Sequence, residues 1–307
     1  MAEVILSYKS GTVTAITDAG RKPLLQELSF ELESGESMAL IGETGSGKTM
    51  TALSLMGLLP DNVERTGGET VFLGAELKSQ RDFAAHLGRE IVYIPQNGLE
   101  FLNPARTVRH QLYDSLERVG VSGRKREAAA GEKLALAGFE DPERVLNAYP
   151  HELSGGMAQR VTIAISACAE ARLILADEPT NGLDESAREG FMALLDRLFP
   201  EAARLIITHD MTVAALCDRC LVLCGGRSME LGRSTEVLAE PRSPYTRALL
   251  GALAVNGLQE TPVLRTGRGV CPFYARCGEA EESCLQTMTR HSCGNREWWC
   301  KDAAAGK

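Results

Sequence analysis

One short segment constrains this chain more than any other. The run Gly42-Glu-Thr-Gly-Ser-Gly-Lys48-Thr49 fits the pattern G-x-x-x-x-G-K-[S/T]. It follows the apolar stretch Ser37 to Ile41, which predicts a strand, and it precedes Met50 to Leu59, which predicts a helix. A glycine-rich loop at a helix N-terminus presents backbone N–H groups and the positive end of the helix dipole to an anion. The segment therefore predicts a phosphate-binding loop.

The residues of this loop have separate expected roles. The glycines let backbone N–H groups turn toward phosphate oxygens, and the helix N-terminus adds positive potential. Lys48 should reach the β and γ phosphates of a nucleoside triphosphate, while Thr49 offers its hydroxyl to Mg²⁺. The expected binding set is Gly42, Gly45, Ser46, Gly47, Lys48 and Thr49.

Short apolar runs recur along the chain and alternate with segments of helical spacing. This alternation predicts an α/β fold with a largely parallel sheet. The runs are Ser37 to Ile41, Ile91 to Ile94, Leu173 to Ala176, Leu205 to Thr208 and Leu221 to Leu223. One of the helical segments, Glu185 to Phe199, carries an apolar face that fits packing against the sheet.

Changes in pattern along the chain suggest three parts. From Asn97 to Pro150 the strand pattern stops and alanine-rich, charged helical stretches such as Arg124 to Ala137 replace it. Beyond about Ser234 prolines punctuate the chain, and a cysteine-rich end follows. We therefore expect a nucleotide-binding core over 1–96 and 160–234, an inserted helical subdomain over 97–159, and a C-terminal extension over 235–307.

A second predicted strand ends in two acidic residues. Arg172-Leu-Ile-Leu-Ala-Asp177-Glu178 is an apolar run that delivers two carboxylates to one end of the sheet. In phosphoryl transfer the protein positions a nucleophile and compensates charge. Asp177 is the expected carboxylate on the magnesium side, and Glu178 is expected to polarise the water that attacks the γ-phosphate.

Composition excludes several classes of protein. Lys and Arg total 33 against 41 Asp and Glu, a net charge of −8, which disfavours binding to the phosphates of nucleic acids. The longest apolar stretches are far shorter than the roughly 20 residues that cross a bilayer, and the start shows no secretory signal pattern. We therefore expect a cytosolic protein whose nine cysteines are buried thiols or metal ligands rather than disulfides.

A third motif identifies a family resemblance. Leu153-Ser154-Gly155-Gly156-Met157-Ala158-Gln159 closely resembles the signature sequence of ATP-binding cassette (ABC) ATPases. Gln96 after a predicted strand, Gly182-Leu183-Asp184, and His209 after another predicted strand are similar to the Q-loop, the D-loop and the switch histidine of that family. The six motifs follow the family's order and spacing from Ser37 to Gly232.

The resemblance implies how such a chain would work. Two cassettes form a head-to-tail dimer, in which the signature of one subunit covers the ATP held by the loop of the other. The implied trans contacts are Ser154, Gly155, Gly156 and Gln159, with Asp184 in the D-loop. His209 would sense the γ-phosphate, Gln96 would contact Mg²⁺ or the attacking water, and Tyr8 is the candidate for stacking on adenine.

Segments outside these motifs narrow the resemblance. Tyr149-Pro-His-Glu-Leu-Ser, Leu102-Asn-Pro104 and Pro241-Arg-Ser-Pro-Tyr-Thr-Arg-Ala-Leu-Leu250 resemble the ATPases of oligopeptide, dipeptide and nickel importers. Asn97-Gly98 departs from the group's usual Asp-Pro, and Asn181-Gly182 from its frequent Thr-Ala. Both departures lie in loops and leave the expected catalytic residues intact.

Two groups of cysteines have different interpretations, one in the C-terminal extension and one before it. Cys271, Cys277 and Cys284 are spaced C-x5-C-x6-C, wider than the pairs of common zinc sites. The importer group carries a similar pattern that resembles a four-cysteine [4Fe–4S] site, which implies Cys271, Cys277, Cys284 and Cys300, with Cys293 as the alternative fourth ligand and Zn²⁺ as the alternative metal. By contrast, Cys217, Cys220 and Cys224 are expected to fill core positions.

The resulting interpretation is an ATPase subunit of an ABC importer for small peptides, nickel or a metal chelate. The resemblance implies two permease subunits, an extracytoplasmic substrate-binding protein and a second ATPase, either a related chain or a second copy of this one, with the subunit peripheral at the cytoplasmic face of the membrane. The alternatives are a soluble ABC ATPase that remodels a non-transport enzyme complex and a binding module that does not hydrolyse ATP. The transported solute is not readable from this chain.

Overall fold

The structure, a computed structural model, describes residues 3–181, 183–253, 256, 259, 261–266 and 269–301. The strands are β1 Val4–Thr17, β2 Gly20–Glu33, β3 Ser37–Gly42, β4 Val63–Phe72, β5 Ala75–Glu76, β6 Ile91–Ile94, β7 Leu173–Asp177, β8 Ala203–Ile207, β9 Arg219–Cys224, β10 Arg227–Arg233, β11 Thr289–Cys293 and β12 Arg296–Cys300. The helices are α1 Lys48–Met56, α2 Gln80–His86, α3 Gly98–Phe101, α4 Val108–Arg118, α5 Lys125–Leu136, α6 Pro142–Asn147, α7 Gly155–Ser166, α8 Glu185–Leu198, α9 Met211–Leu216, α10 Ser234–Ala239 and α11 Pro244–Gly251.

The five apolar runs expected to be strands are β3, β6, β7, β8 and β9; the bounds of β6 match the prediction, and those of the others differ by at most two residues at either end. Every residue of β3, β7 and β8 is buried. Continuous burial explains why these runs lack polar alternation, since strands covered on both faces are apolar throughout. The expected α/β class is confirmed.

Contacts divide the described residues into two compact units. The first unit takes those within Met1–Leu6, Leu32–Glu36 and Phe72–Ile207. The second takes those within Ser7–Glu31, Ser37–Val71 and Thr208–Lys307. These boundaries do not follow the three parts expected from the sequence, because contact follows packing of distant segments rather than changes of pattern along the chain.

In the first unit, β6, β7 and β8 are parallel neighbours. Ile91 pairs with Leu173, and Leu173 pairs in turn with Ala203, so these strands end at the same edge. Helices α4 to α7 contribute to a hydrophobic cluster that includes Leu112, Leu134 and Val161, each fully buried. The cluster gives the helical stretch between β6 and β7 an apolar core to which all four helices contribute.

In the second unit, five strands are neighbours in one sheet. The pair β3 and β9 is parallel, and the other pairs are antiparallel. The order is β11-β12-β10-β9-β3, with β10 paired antiparallel to both β9 and β12. The sequence analysis missed β10, β11 and β12, as well as the long strands β1, β2 and β4. Polar or charged residues interrupt each of these strands, such as buried Glu230 on β10 and the exposed polar positions that alternate with apolar ones on β2, which makes a weaker apolar signal than a continuous apolar run.

The cysteines expected in the core are there. Cys217, Cys220 and Cys224 are 4%, 0% and 5% exposed, which confirms that prediction. Burial raises the pKa of Cys220 and of Cys224 to about 12, so both are neutral thiols at physiological pH.

A buried ion pair attaches the C-terminal hairpin to the rest of its unit. Glu230 on β10 is fully buried and receives the Arg296 guanidinium of β12, with the Nε to Oε1 distance at 3.0 Å. The same carboxylate accepts the backbone N–H groups of Arg242 and Ser243 at 2.9 and 3.0 Å. One carboxylate therefore ties together β10, β12 and the segment that leads into α11.

Across the part of the chain that the structure describes, no helix is both long and apolar enough to cross a bilayer.

Replacing Arg296 tests this attachment. We expect Arg296→Met to lower the free energy of unfolding of this unit by about 3–5 kcal/mol, because the Glu230 carboxylate is left buried without its counter-charge. The matched control is Arg290→Gln, which removes an exposed pair with Glu297 on the same hairpin and should cost about 1 kcal/mol or less. Urea unfolding of both variants measures the difference; equal small losses would contradict the account.

Candidate nucleotide-binding site

The phosphate loop has a backbone path that only glycine can follow. Gly42, Gly45 and Gly47 have φ values of 154°, 80° and 108°. A Cβ at Gly42 would lie 2.3 Å from the carbonyl oxygen of Leu223, and one at Gly47 would lie 2.8 Å from Cδ2 of Leu25. A side chain at either position would displace the loop from the neighbouring backbone, so the spacing of the glycines sets the shape of the loop.

Hydrogen bonds between groups of the phosphate loop fix its conformation. Lys48 Nζ donates to the carbonyl oxygens of Gly42 and Glu43 at 2.8 and 3.1 Å. The Ser46 N–H donates to the Glu43 carbonyl at 3.1 Å. Ser46 Oγ is buried and has no hydrogen-bond partner among the described atoms, while the Thr49 side chain is exposed. The loop therefore combines a fixed cation with hydroxyl groups that a phosphate or a hydrated Mg²⁺ could use.

His209 occupies a tight turn between β8 and α9. The Asp210 N–H donates to Thr208 Oγ1 at 2.9 Å, and the Asp210 carboxylate caps α9 by accepting the Thr212 N–H at 2.8 Å. The imidazole between these two anchored residues is exposed. The turn thus fixes the backbone of His209 in the same unit as the phosphate loop while leaving its ring accessible.

Tyr8 does not fit its expected role. Its side chain is fully buried, its hydroxyl lies 2.9 Å from Ser54 Oγ, and the Arg65 guanidinium lies 5.6 Å from its ring centre. A ring packed on both sides has no free face for a base, so the prediction that Tyr8 stacks on adenine is corrected. The reason is its place on β1, where its side chain points into the core.

The carboxylate pair stands in the first unit, at the end of β7. Asp177 is 7% exposed, and the Tyr93 hydroxyl of the adjacent strand lies 3.5 Å from its Oδ2. Burial and the Asp177 charge raise the pKa of Tyr93 to about 12, so the phenol keeps its proton. Glu178 follows with a φ of 47°, a left-handed conformation that is uncommon for a residue with a side chain.

The conformation of Glu178 is held by its backbone bonds. Its N–H donates to the Ile207 carbonyl of β8 at 2.8 Å, and its carbonyl accepts the Asn181 N–H at 3.1 Å. Backbone strain of this kind costs about 1–3 kcal/mol and is often found where a side chain must be aimed. The chain turns at Glu178, and its side chain is partly exposed.

The signature segment forms a capped helix start with open space around it. Ser154 caps α7 by accepting the Met157 N–H at 3.3 Å. Gly155 and Gly156 are exposed, and a Cβ added at either would meet nothing within 4 Å. The first turn of α7 therefore presents free backbone N–H groups, the arrangement that binds anions at helix N-termini.

Gln159, expected to act in trans with these residues, has another position. It is 7% exposed, and its side chain accepts the Gly98 N–H at 3.1 Å and donates to the carbonyls of Pro95 and Pro179 at 3.4 and 3.2 Å. These bonds point into its own subunit, so Gln159 is removed from the trans contacts. A Cβ at Gly98 would lie 2.8 Å from the Gln159 nitrogen, which explains the close approach of α3 to α7.

A surface groove borders these elements in the first unit. It is lined by Pro95, Gln96, Asn97, Gly98, Glu100, Phe101, Gly155, Gly156, Gln159, Pro179, Asn181 and Leu183. The Gln96 side chain is exposed, and Phe101 is 49% exposed on α3. Asp184, close in sequence to this groove, caps α8 by accepting the Ala187 N–H at 2.8 Å. Gly182 of the expected D-loop lies outside the described residues.

In the second unit, the four cysteines implied as cluster ligands face one common cavity. Cys271, Cys277, Cys284 and Cys300 line it together with apolar side chains, while Cys293 is exposed on β11. Burial raises the pKa of Cys271 to about 11, and it also raises the pKa values of Cys277 and Cys300. Among the described residues, no group of three or more His, Cys, Asp or Glu side chains is arranged to hold a metal ion.

Three features of the site were missed by the sequence analysis. They are the Tyr93 contact with Asp177, the Gln159 link to Gly98, and an ion pair between Glu43 of the phosphate loop and Arg276. Each joins residues far apart in sequence. Gly42 and Gly98 are local signals of close backbone approach, but the sequence around them does not identify the residue that each one contacts.

Solved structures share the fold of this chain. A dimeric post-hydrolysis structure of the ATP-binding cassette MJ0796 bound to ADP and Pi matches with a TM-score of 0.66 at 27% identity, over 75% of this chain and 99% of that one. CbiO1 from Clostridium perfringens, part of the ABC transporter complex cbiONQ, matches with a TM-score of 0.66 at 24% identity, over 78% of this chain and 92% of that one.

Characterised relatives match nearly the whole length. The oligopeptide transport ATP-binding protein OppD of Salmonella typhimurium is 38% identical over 92% of this chain and 89% of its own length. The dipeptide transport ATP-binding protein DppD of Bacillus subtilis is 35% identical over 90% of this chain and 87% of its own length. The family model of the oligopeptide/dipeptide transporter C-terminal region matches residues 229–284, and that of the ABC transporter matches residues 25–181. The chain belongs to the ABC transporter family of ATPases.

Proposed function

We propose that this chain is the ATP-hydrolysing subunit of an importer for small peptides. The observation that carries the proposal is the joint presence of the phosphate loop, the acidic strand end and the capped signature helix with a C-terminal region of the oligopeptide/dipeptide transporter type. The similarity to oligopeptide and dipeptide transport proteins favours peptides as the solute. Nickel or a metal chelate remains a prediction from the sequence resemblance.

The phosphate loop binds the triphosphate in this proposal. Backbone N–H groups of Gly45 and Gly47 and the N-terminus of α1 meet the phosphate oxygens, and Lys48 exchanges its two carbonyl acceptors for the β and γ phosphates. Ser46 Oγ, which is buried without a partner among the described atoms, gains one. This fit between unfilled hydrogen-bonding capacity and anionic oxygen supports ATP binding at the loop.

The hydrolysis step uses residues at the ends of parallel strands. Glu178 accepts a proton from the attacking water, and its fixed left-handed backbone holds the carboxylate in one direction. Gln96 orients the water, and exposed His209 donates to the γ-phosphate as charge develops. Thr49, Gln96 and Asp177 are oxygen donors of the kind that Mg²⁺ prefers, and that ion, when bound, neutralises phosphate charge.

The signature helix acts on the nucleotide of a second ATPase subunit. Ser154, Gly155 and Gly156 start a helix with free N–H groups and open space, which supports contact with the γ-phosphate of an opposing subunit. The similarity to a dimeric cassette bound to ADP and Pi supports the same arrangement. The second subunit is a related ATPase or another copy of this chain.

A permease segment docks on the groove beside α3. Phe101 lines this groove and is 49% exposed, and Leu99, 36% exposed, lies on the same short helix, so α3 offers apolar contact next to Gln96. Gln159 joins α3 to α7 and to the backbone that follows Glu178. Docking there therefore supports coupling of a permease to catalysis. The helices of 97–159, with the apolar cluster to which they contribute, act as the helical subdomain in this proposal.

The complete importer contains two permease subunits and an extracytoplasmic substrate-binding protein, and this subunit is peripheral at the cytoplasmic face of the membrane. These partners follow from the similarity to peptide transport ATP-binding proteins. The core over 1–96 and 160–234 and the extension over 235–307 are the corresponding functional divisions. A soluble ATPase that remodels an enzyme complex is the alternative. Co-purification with integral membrane subunits distinguishes the two functions.

The C-terminal cysteines hold a [4Fe–4S] cluster. Four thiols share one cavity in the second unit, although among the described residues no group of three or more His, Cys, Asp or Glu is arranged to hold a metal ion. The resemblance to the importer cysteine pattern favours a cluster, with Zn²⁺ as the alternative. The shared cavity favours Cys300 over exposed Cys293 as the fourth ligand. The thiolates of these cysteines would ligate the irons of such a cluster, which would offset the cost of burying their charge.

Glu178→Gln tests the assigned base. We expect steady-state phosphate release to fall by about 10²–10³-fold in the assembled transporter, because an amide cannot accept the proton, while ATP binding is retained. Glu189→Gln makes the same change on an exposed position of α8 and should leave turnover intact. Unimpaired hydrolysis in Glu178→Gln would reject Glu178 as the base.

Phe101→Asp tests the docking groove and the transport assignment together. We expect the variant to bind ATP normally but to be lost from detergent-solubilised complexes that the wild-type chain forms with two integral subunits, since a charge replaces an apolar contact. Leu136→Asp, at an exposed position of α5, should still co-purify. A wild-type chain recovered only in soluble assemblies would favour the remodelling alternative.

Anaerobic purification tests the cysteine site. We expect a brown protein with about four irons and four acid-labile sulfides per chain, the stoichiometry of one cluster. Cys284→Ser should lose the iron, and Cys293→Ser should keep it because Cys293 is exposed on β11. Zinc without sulfide would establish the zinc alternative, and a colourless protein without either metal would contradict a metal site.

A further inference from the structure

An ion pair links the cysteine-rich extension to the phosphate loop. Arg276 donates from both terminal nitrogens to the Glu43 carboxylate, with N–O distances of 2.9 and 2.7 Å. Glu43 directly follows Gly42, the first glycine of the loop, and its carbonyl accepts a bond from Lys48. A two-point guanidinium–carboxylate pair fixes direction as well as distance. The extension therefore forms an ion pair with the loop at a residue that also accepts a hydrogen bond from Lys48.

Glu43 is held from two sides by the same part of the extension. Its backbone N–H donates to the Tyr245 hydroxyl at 3.2 Å, and Tyr245 is 1% exposed. Phe273 packs edge-on against Tyr245 with 5.3 Å between ring centres, and the Arg276 guanidinium lies 5.3 Å from the Phe273 ring centre. Arg276 is thus held by an aromatic ring on one side and by a carboxylate on the other.

A second contact fixes the segment that carries Arg276. A Cβ at Gly225 would lie 2.7 Å from Cβ of Pro272, so this turn touches the backbone region before Phe273. The neighbouring Gly226 N–H donates to the Ser46 carbonyl of the phosphate loop at 2.8 Å. The segment from Pro272 to Arg276 therefore meets the loop directly through Arg276 and indirectly through the turn at Gly225 and Gly226.

The charge of Glu43 explains why such a grip matters. A carboxylate in a loop that binds a triphosphate repels the ligand, and the repulsion grows with the phosphate charge. The Arg276 guanidinium neutralises that carboxylate and holds it in one place. Without Arg276, the loop would present an unpaired anion beside Lys48.

We propose that Arg276 is a positioning residue for ATP binding. It acts through Glu43: by neutralising and fixing that carboxylate, it reduces the repulsion between the phosphate loop and the triphosphate. This inference rests on the proposed function, since it requires that the loop bind ATP. Arg276 touches neither the nucleotide nor the reacting atoms in this account. Its effect belongs to the affinity for nucleotide and to KM, with kcat little changed.

Four variants of the full chain test the proposal by direct titration with ATP and Mg²⁺. Arg276→Gln should weaken ATP binding by about fivefold, the effect of leaving one partly exposed charge unpaired near an anion. Glu43→Gln should bind at least as well as wild type, because the repelling charge is gone. The double variant Glu43→Gln/Arg276→Gln should return to within about twofold of wild type. Arg276→Lys, which keeps the charge but not the two-point geometry, should fall between wild type and Arg276→Gln.

The matched control removes an ion pair of the same extension that lies away from the loop. Arg247 pairs with Glu279 on an exposed surface, so Arg247→Gln should leave the ATP affinity unchanged. Adenosine, which has no phosphates, should bind Arg276→Gln and wild type alike, whereas a general loss of structure would weaken both ligands. Thermal unfolding of each variant confirms that the compared proteins are folded.

The outcomes separate this inference from the function on which it rests. A wild-type chain that fails to bind ATP would reject the proposed function. A wild-type chain that binds ATP, together with an unchanged Arg276→Gln, would overturn the role of Arg276 alone. A double variant as weak as Arg276→Gln would show that Arg276 does not act through Glu43, and this would also overturn the proposal. Should Arg276→Gln not fold, the titrations of Arg276→Lys and Glu43→Gln decide. If these two variants bind ATP with equal affinity, the role of Arg276 is rejected.

Discussion

The phosphate loop depends on the contact between its backbone and the strands beside it. Gly42 approaches the Leu223 carbonyl so closely that a Cβ would lie 2.3 Å away, and Gly47 is similarly close to Leu25. Because no side chain fits at these positions, the loop can only take one path, and that path turns N–H groups toward its centre. Lys48 and the start of α1 then concentrate positive potential at the same point.

Buried strands were predictable from the sequence because burial on both faces leaves a continuous apolar run. β7 is the example: all five of its residues are buried, and its predicted bounds differ by one residue. The helix α8 was also predictable, since its buried Phe191 and Leu195 recur at helical spacing. β10 and β12 were not, because the buried charged residues Glu230 and Arg296 interrupt their apolar pattern.

The site shows the same division between local and distant information. Residues defined by local spacing, such as Lys48 and Ser154, lie where a loop and a helix start can present them. Two other assignments were wrong: Tyr8, chosen as an aromatic residue near the start of the chain, is buried, and Gln159, assigned with the signature sequence, points into its own subunit. The grip of Arg276 on the loop depends on tertiary packing over a separation of 233 residues, which no short pattern encodes.

These features combine into one physical account. In the proposed mechanism, a loop shaped by glycine holds the triphosphate, Glu178 prepares the water, and a second helix start supplies the donors that a single subunit lacks. The account therefore requires two subunits around each nucleotide, because the capped helix at Ser154 is built to meet an anion.

The most direct test is an experimental structure of the assembled transporter trapped with ATP. The account predicts that Ser154 Oγ and the adjacent glycine N–H groups lie within hydrogen-bonding distance of the γ-phosphate of the ATP bound to the other subunit. A trapped, ATP-loaded assembly in which Ser154 is remote from every triphosphate would contradict it.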